Sequence, residues 1–116
     1  MRIELPFPNG KLSPNRAKGV HWGATSSLKG RQFDDAFMLT MQVTGGVKRP
    51  DTEMPMKVVF CEPDRRKRDL DNCLAAAKSA IDGIASALGV NDKNFSPITI
   101  IRGVVVKGGL MVVEVY

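Results

Sequence analysis

The spacing of apolar positions in the first half of the chain predicts one strand and one helix. Between residues 3 and 7 apolar and polar side chains alternate, and the alternation stops at the turn sequence Pro8-Asn9-Gly10. From about residue 32 to 43 apolar side chains recur every three or four positions, which indicates an amphipathic helix. The glycine pair at 45–46 is expected to end that helix.

The second half of the chain predicts a strand, a long helix and two further strands. Valine-rich residues 56–61 indicate a buried strand, and an apolar stripe over 72–88 indicates the clearest helix. Residues 98–106 and 110–116 are rich in β-branched side chains, and the Lys-Gly-Gly turn at 107–109 predicts that they form a hairpin. We therefore expect an α/β (α+β) fold in one domain, with strand-helix-strand-helix-strand-strand order and two helices packed on a small mixed sheet.

Residues 9–30 lack clear periodicity and are interpreted as a long basic loop. Its cations are Lys11, Arg16, Lys18 and Lys29. His21 and Trp22 lie in the same segment, where an aromatic ring can stack on a nucleic-acid base. A ring lying over the edge of the core is the favoured alternative.

Composition adds a preference for an anionic partner. Apolar residues make up 43% of the 116 positions and charged residues 25%, which is typical of a globular domain, and the net charge is +5. The longest apolar runs are too short to span a membrane, and the N-terminus lacks the apolar segment of a signal peptide. We therefore expect a cytoplasmic protein without a membrane partner, in which Cys61 and Cys73 are small buried side chains.

The most informative stretch is residues 63–72, with the sequence PDRRKRDLDN. Its four consecutive cations suit a polyanion, because phosphate contacts dominate affinity for nucleic acids. The carboxylates Asp69 and Asp71 repel each other unless a cation lies nearby, and Mg²⁺ is usually held by carboxylate oxygens together with water and substrate phosphate. The alternative is a solvated charge run in which an aspartate caps the following helix.

A third acid, Asp92, lies in the polar turn after the long helix. It joins Asp69 and Asp71 only if the chain folds back towards the end of the strand, which the sequence permits; otherwise it is a turn residue. At 100° per residue Asp71, Lys78 and Asp82 lie on one strip of that helix. Lys78 and Asp82 also have the spacing of a surface ion pair, the favoured interpretation for Asp82.

Residues 63–72, the helix after them and the Asn-Asp pair at 91–92 resemble the RusA family of Holliday junction resolvases, mostly encoded by phages and prophages. The LPFP at 5–8, the SPNR at 13–16 and the closing strand pair are similar to that family as well, so the resemblance spans nearly the whole chain. It implies one endonuclease domain over residues 1–116 that acts as a homodimer in a bacterial cytoplasm. The implied activity depends on Mg²⁺, with Mn²⁺ expected to substitute and no organic cofactor, and nicks four-way DNA junctions in symmetric pairs.

Carried over residue by residue, Asp69 and Asp71 match the two motif carboxylates, and Asp92 matches the third acid. The resemblance thus makes these three both catalytic residues and metal ligands. The family's lysine one turn after the second carboxylate is replaced here by Ala75, and we assign its catalytic role to Lys78. The residues expected to bind DNA are Arg65, Arg66, Lys67, Arg68, Asn72, Asn15 and Arg16.

A junction has approximate two-fold symmetry, so a two-fold dimer would supply two active sites at once. The expected interface is the apolar surface at 33–41 or the C-terminal hairpin. Two other functions remain open: a branched-DNA-binding protein without catalysis, and a metal-dependent nuclease that acts on flaps or RNA. A non-catalytic binder would gain nothing from three acids beside a phosphate-binding surface.

Overall fold

The fold is a four-stranded mixed sheet with helices, seen in a computed structural model that describes residues 1–14 and 22–116, without the side chain of Trp22. Two short 3-10 turns, Gly10–Leu12 and Asp92–Asn94, precede the first helix and the third strand. In chain order the strands and helices are β1 (Arg2–Leu5), α1 (Trp22–Thr44), β2 (Met54–Cys61), α2 (Leu70–Ala76), α3 (Lys78–Leu88), β3 (Phe95–Arg102) and β4 (Leu110–Val115). This arrangement confirms the expected α+β class and the order of the elements.

The sheet has the strand order β1-β4-β2-β3. β4 is antiparallel to both β1 and β2, whereas β3 is parallel to β2. Two parallel neighbours need a crossover, which α2 and α3 provide. The chain that leaves β2 therefore passes through the charged stretch 62–69, returns along α3 and starts β3 beside the beginning of β2.

The core lies between the sheet and the helices α1 and α3. Met56, Val58 and Phe60 alternate along β2 and are fully buried, as the period of a strand requires. Ile84 and Leu88 of α3 are fully buried as well. Gly83 lets α1 and α3 approach closely, because a Cβ at that position would lie 2.5 Å from the carbonyl oxygen of Phe33.

The predicted C-terminal hairpin is wrong. β3 and β4 are separated by β2, although Gly108 and Gly109 form the expected turn with positive φ angles of 83° and 80°. Before that turn the chain passes over the end of β2, where the Gly103 N–H donates to the Phe60 carbonyl at 2.9 Å. Because β3 is parallel to β2 and lies at the edge of the sheet, the chain must cross the end of β2 before it can form β4 on the opposite side of β2.

Two element boundaries also differ from the prediction. The segment 22–30, expected to be loop, forms the start of α1, because extending an existing helix costs little even for a polar sequence. The long helix predicted over 72–88 begins two residues earlier and is interrupted at Ala77, whose φ and ψ of −92° and 4° are not helical. The apolar stripe continues through Ala77, which is fully buried, so the pattern carried no sign of the break.

Asn15, Arg16, Lys18 and His21 lie outside the described residues. Within the described ranges, no helix is both long and apolar enough to cross a membrane. Cys61 and Cys73 are free and buried, as predicted.

Candidate functional site

The charged loop between β2 and α2 is organised around one buried carboxylate. Glu62 follows the last residue of β2 and is only 3% exposed. Its Oε2 accepts the backbone N–H of Arg68 at 2.7 Å, and its Oε1 accepts Nε–H of Arg102 at 2.7 Å. Arg102 in turn donates through Nη2 to the backbone carbonyl of Arg68. The peptide groups on both sides of the Arg68 Cα are thereby hydrogen-bonded to side chains of the sheet.

Arg68 itself is held within the chain, although the sequence suggested a DNA contact. Its guanidinium donates to both oxygens of Asp64 at 3.0 and 3.1 Å and lies 5.6 Å from the ring centroid of Phe7. Asp64 also accepts the Arg66 N–H at 2.9 Å, a bond typical of an aspartate that begins a turn. The bonds from Arg68 and Arg66 lower the pKa of Asp64, and the same pairing raises the pKa of Arg68.

The pKa of Glu62 also reflects these contacts. Burial by itself raises the pKa of this carboxyl, but the bonds from Arg102 and Arg68 outweigh it and leave the pKa below its ordinary value. Glu62 is therefore ionised at neutral pH. Sequence reasoning missed both Glu62 and Arg102, because their only local sign is a charged residue at the end of an apolar run.

The other three cations of the loop are available to an external anion. Arg65, Arg66 and Lys67 are exposed, and their side chains form no hydrogen bond or ion pair with the described part of the chain. Guanidinium groups in this state can bind phosphate oxygens without first breaking an internal pair. The loop thus presents three free positive charges, not the four expected from the sequence.

Asp69 and Asp71 lie at the start of α2, and neither carboxylate forms an ion pair within the described residues. Asp69 is the N-cap residue but makes no side-chain capping bond, and it accepts a 3.5 Å bond from Asn72 Nδ2. Asp71 is exposed in the first turn and has no bonding partner among residues 1–14 and 22–116. Mg²⁺ is commonly held by one or two carboxylates plus water and substrate phosphate. The chemistry of this donor pair therefore fits Mg²⁺.

Asp92 lies in a second acidic cluster, beside α3. Lys78 donates to Asp82 Oδ1 at 2.6 Å, as the surface-pair interpretation predicted, and it also donates to Asp92 Oδ2. The bond from Lys78 lowers the pKa of Asp92. Partial burial alone would lower the pKa of Lys78, but its bonds to the two aspartates raise it. This lysine is therefore a stable cation.

The described residues do not bring the three proposed acids into one group. Asp92 has no bond to Asp69 or Asp71, and nowhere in the described ranges do three or more His, Cys, Asp or Glu side chains form a potential metal site. The turn that carries Asp92 is fixed instead by Asp51, which accepts the Asn91 N–H at 2.8 Å and Asn94 Nδ2 at 2.6 Å. No local pattern around Asp51 indicates this role.

A cleft of about 470 Å³ lies beside Asp69. It separates the N-terminal segment from the charged loop, and its floor includes the buried Cys73. Its walls combine apolar groups with polar groups of the motif, namely Phe7, Pro8, Gly10, Ser13, Pro63, Arg66, Arg68, Asp69, Asn72 and Ala76. The free cation Arg66, the Asp69 carboxylate and an apolar wall thus line one cleft, which suits a ligand with both anionic and apolar parts.

Comparison with known proteins yields two informative relatives. An uncharacterised protein of Xylella fastidiosa is 32% identical over 115 residues, a match that covers 97% of this chain and 74% of that protein. A crossover junction endodeoxyribonuclease RusA of Enterobacteria phage HK97 is 37% identical over 65 residues, which cover 55% of this chain and 52% of the phage enzyme. No family model matches the chain. The chain therefore belongs to the same family as the Xylella protein, and about half of it is similar to a phage RusA enzyme.

Proposed function

We propose that this protein is a Mg²⁺-dependent endonuclease that resolves four-way DNA junctions by paired nicks. The observation that carries the proposal is that two carboxylates, Asp69 and Asp71, follow three cations in one short stretch, and none of the five forms an ion pair within the described residues. A metal and a phosphodiester backbone need these two kinds of group side by side. The partial similarity to a RusA enzyme supports the same substrate class.

In this proposal each group has a separate task. Arg65, Arg66 and Lys67 bind backbone phosphates and bring one strand to the start of α2. Asp69 and Asp71 hold Mg²⁺, with Mn²⁺ as a substitute. When bound, the metal ion neutralises charge on the scissile phosphate and makes a water molecule a better nucleophile.

The proposed roles of Lys78 and Asp92 depend on the bond between them. Because its aspartate partners keep it protonated, Lys78 suits electrostatic stabilisation of developing negative charge and is a poor proton acceptor. Asp92 remains the proposed third acid, but it has to release Lys78 before it can act as a ligand. Asn72, bonded to Asp69, would orient that carboxylate or contact DNA. Asn15 and Arg16 are proposed as additional DNA contacts.

The proposed active species is a homodimer. Four-way junctions present two equivalent strands to cut, and a two-fold dimer places two copies of the loop in a fixed relation. Fixed spacing would favour paired nicks over single nicks at unrelated positions.

A branched-DNA-binding protein without cleavage is the competing candidate. The observation that favours it is the engagement of Asp92 by Lys78, which leaves only two free acids near the cationic loop. Such a protein would bind junctions through the same cations but would leave them intact in the presence of any divalent metal.

A cleavage assay separates the candidates. A mobile four-way junction, a flap and a linear duplex, each with labelled ends, are incubated with the protein and Mg²⁺, with Mn²⁺ or with EDTA. We expect symmetric nicks in the junction only, with either metal and not with EDTA. Binding of the junction without nicks would favour the non-catalytic candidate, and cleavage of the flap alone would change the substrate class.

A further inference from the structure

We propose that Glu62 and Arg102 act together as a positioning clamp for the Asp69 carboxylate. The inference rests on the proposed function, in which Asp69 holds the metal ion. Glu62 and Arg102 themselves contact neither Asp69 nor the cleft in the described structure. Their influence passes through the backbone of Arg68, the residue immediately before Asp69.

The clamp acts on both peptide groups of Arg68. Glu62 Oε2 accepts its N–H at 2.7 Å, and Arg102 Nη2 donates to its carbonyl oxygen. That carbonyl belongs to the peptide bond that begins Asp69, so its orientation fixes the direction in which the Asp69 side chain leaves the backbone. A third bond, between Arg102 Nε and Glu62 Oε1 at 2.7 Å, locks the two side chains to each other.

The clamp is attached to the ends of two paired strands of the sheet. Glu62 directly follows β2, and Arg102 is the last residue of β3, where it pairs in the parallel ladder with Phe60. Gly103, next in the chain, passes so close to β2 that a Cβ there would lie 2.8 Å from Cys61 Sγ. A carboxylate positioned from a sheet is held more precisely than one positioned by a loop alone.

The chemistry of the clamp requires a carboxylate and does not tolerate an amide. Each oxygen of Glu62 accepts from a different donor, Arg68 N–H and Arg102 Nε–H. Glutamine has one oxygen, so its NH₂ group must face one of these donors. The side chain of Glu62 is only 4% exposed, so water cannot easily replace the lost acceptor. Glu62→Gln therefore removes one hydrogen bond of the clamp, while the side chain keeps nearly the same shape and volume.

The test measures cleavage, DNA binding and metal dependence separately in Glu62→Gln and Arg102→Gln. Under single-turnover conditions with saturating protein, we expect the cleavage rate to fall about 10- to 100-fold, the range typical of residues that orient a metal ligand. The Mg²⁺ concentration for half-maximal rate should rise, while the Kd for the junction stays within about threefold because the free cations are untouched. Unchanged cleavage and metal dependence in both variants would overturn the proposal.

Two controls separate positioning from general destabilisation. Glu4→Gln removes an exposed carboxylate paired with Arg2 at 3.1 Å and should behave as wild type. Val115→Ala removes buried volume in β4 and lowers the melting temperature without touching the clamp. If Val115→Ala reproduces the kinetic pattern of the Glu62 variant at equal melting temperature, the positioning role is wrong.

The clamp also has a test that does not depend on nuclease activity. Amide NMR spectra of the wild-type chain should show slow hydrogen exchange at the Arg68 N–H, and Mg²⁺ should shift the amides of Asp69 and Asp71. In Glu62→Gln the Arg68 amide should exchange faster and the Mg²⁺ affinity should fall. A wild-type chain that binds Mg²⁺ but cuts no DNA would refute the nuclease and leave the clamp standing. Absence of Mg²⁺ shifts would overturn the clamp as well.

Discussion

At the scale of single residues, neighbouring cations of one loop have different tasks because their surroundings differ. Arg68 is paired with Asp64 and Glu62, whereas Arg65, Arg66 and Lys67 are exposed and their side chains have no partner among residues 1–14 and 22–116. The sequence shows four equivalent positive charges. The ion pairs of Arg68 make it a structural residue, whereas the other three cations remain potential phosphate ligands.

This difference predicts opposite effects of two alanine substitutions. Arg66→Ala should weaken junction binding and reduce the salt dependence, whose slope is about −0.9 per phosphate contact, with little change in melting temperature. Arg68→Ala removes the guanidinium bonds to Asp64 and Glu62, while Glu62 keeps Arg102 and the backbone N–H of residue 68, and should lower the free energy of unfolding by about 1 kcal/mol. Fluorescence anisotropy at several salt concentrations and urea unfolding measure the two effects. An unstable Arg66→Ala or a fully stable Arg68→Ala would contradict this division.

Asp69 and Asp71 allow a role in metal binding to be separated from a role in helix capping. Asp69→Asn and Asp71→Asn should each abolish cleavage while junction binding is kept or tightened, because the negative charge near phosphate is removed. The melting temperature without metal should stay equal or rise. Since Asp69 makes no side-chain capping bond, even Asp69→Ala should cost less than the roughly 1 kcal/mol usual at an N-cap. Full nuclease activity in both asparagine variants would refute the proposed metal site. The same substitution at Asp92 tests the third acid.

At the scale of elements, the position of the charged loop depends on how closely α1 packs on α3. Gly83 of α3 faces the backbone of α1, and Gln32 of α1 accepts the Ala80 N–H at 3.2 Å. Since α3 follows α2 with a break of one residue, this contact also fixes where α2 can begin. The start of α2 carries Asp69 and Asp71.

Two glycine-to-alanine substitutions test this packing. Gly83→Ala places a Cβ 2.5 Å from the Phe33 carbonyl and should destabilise the protein by about 1–3 kcal/mol. Gly30→Ala in α1 meets nothing within 4 Å and should stabilise it by up to about 1 kcal/mol, since alanine is the better helix former. Urea unfolding curves measure both. Equal changes in the free energy of unfolding for Gly83→Ala and Gly30→Ala would contradict the close packing of α1 on α3.

The link between β2, β3 and the charged loop should also make stability depend on pH. The folded-state pKa of Glu62 lies below its ordinary value of 4.5. The ionised carboxylate therefore adds its full contribution to the free energy of unfolding above about pH 4.5, and this contribution is lost as the pH falls through the folded-state pKa. Glu62→Gln does not titrate and should therefore lose less stability between pH 7 and pH 3 than wild type. Urea unfolding across this range, with Glu4→Gln as control, measures the difference. Parallel pH profiles for wild type and Glu62→Gln would contradict the ion-paired state of Glu62.

At the scale of the whole molecule, β3 forms one edge of the sheet and is mostly exposed. Phe95 is its one buried residue, whereas Ile98 and Ile101 are 41% and 40% exposed. Apolar residues on an unpaired edge strand are a common site of association between chains. By contrast, Ala36 and Thr40, within the predicted interface at 33–41, are already buried inside the chain.

We therefore predict that the free protein is a homodimer. Light scattering of the free protein at micromolar concentration should return about twice the 12.6 kDa mass of the chain, and the complex should have the mass of the junction plus two chains. Substitution of Ile98 by lysine at the exposed edge should shift the mass towards that of a monomer, whereas Val47→Lys, an exposed position outside the sheet, should not. A monomer both free and on DNA would contradict the prediction of paired nicks.

Short-range patterns in the sequence were enough to predict most of the elements and to suggest the chemistry of the site. Alternation predicted β1 and the apolar stripe predicted the helix that follows residue 70. The PDRRKRDLDN stretch suggested binding of Mg²⁺ and phosphate, which stays a prediction. These signals depend only on neighbours within a few positions. The order of the elements and the α+β class followed from them.

Which of these groups meet depends on the three-dimensional fold. It placed β2 between β3 and β4, paired Arg68 with Asp64, set Asp92 against Lys78, and brought Arg102 to Glu62 across 40 positions of sequence. Such contacts depend on strand order and on the path of the crossover, which local periodicity does not encode. The hairpin prediction failed for that reason: a glycine turn indicates that the chain reverses, but not which strand it pairs with afterwards.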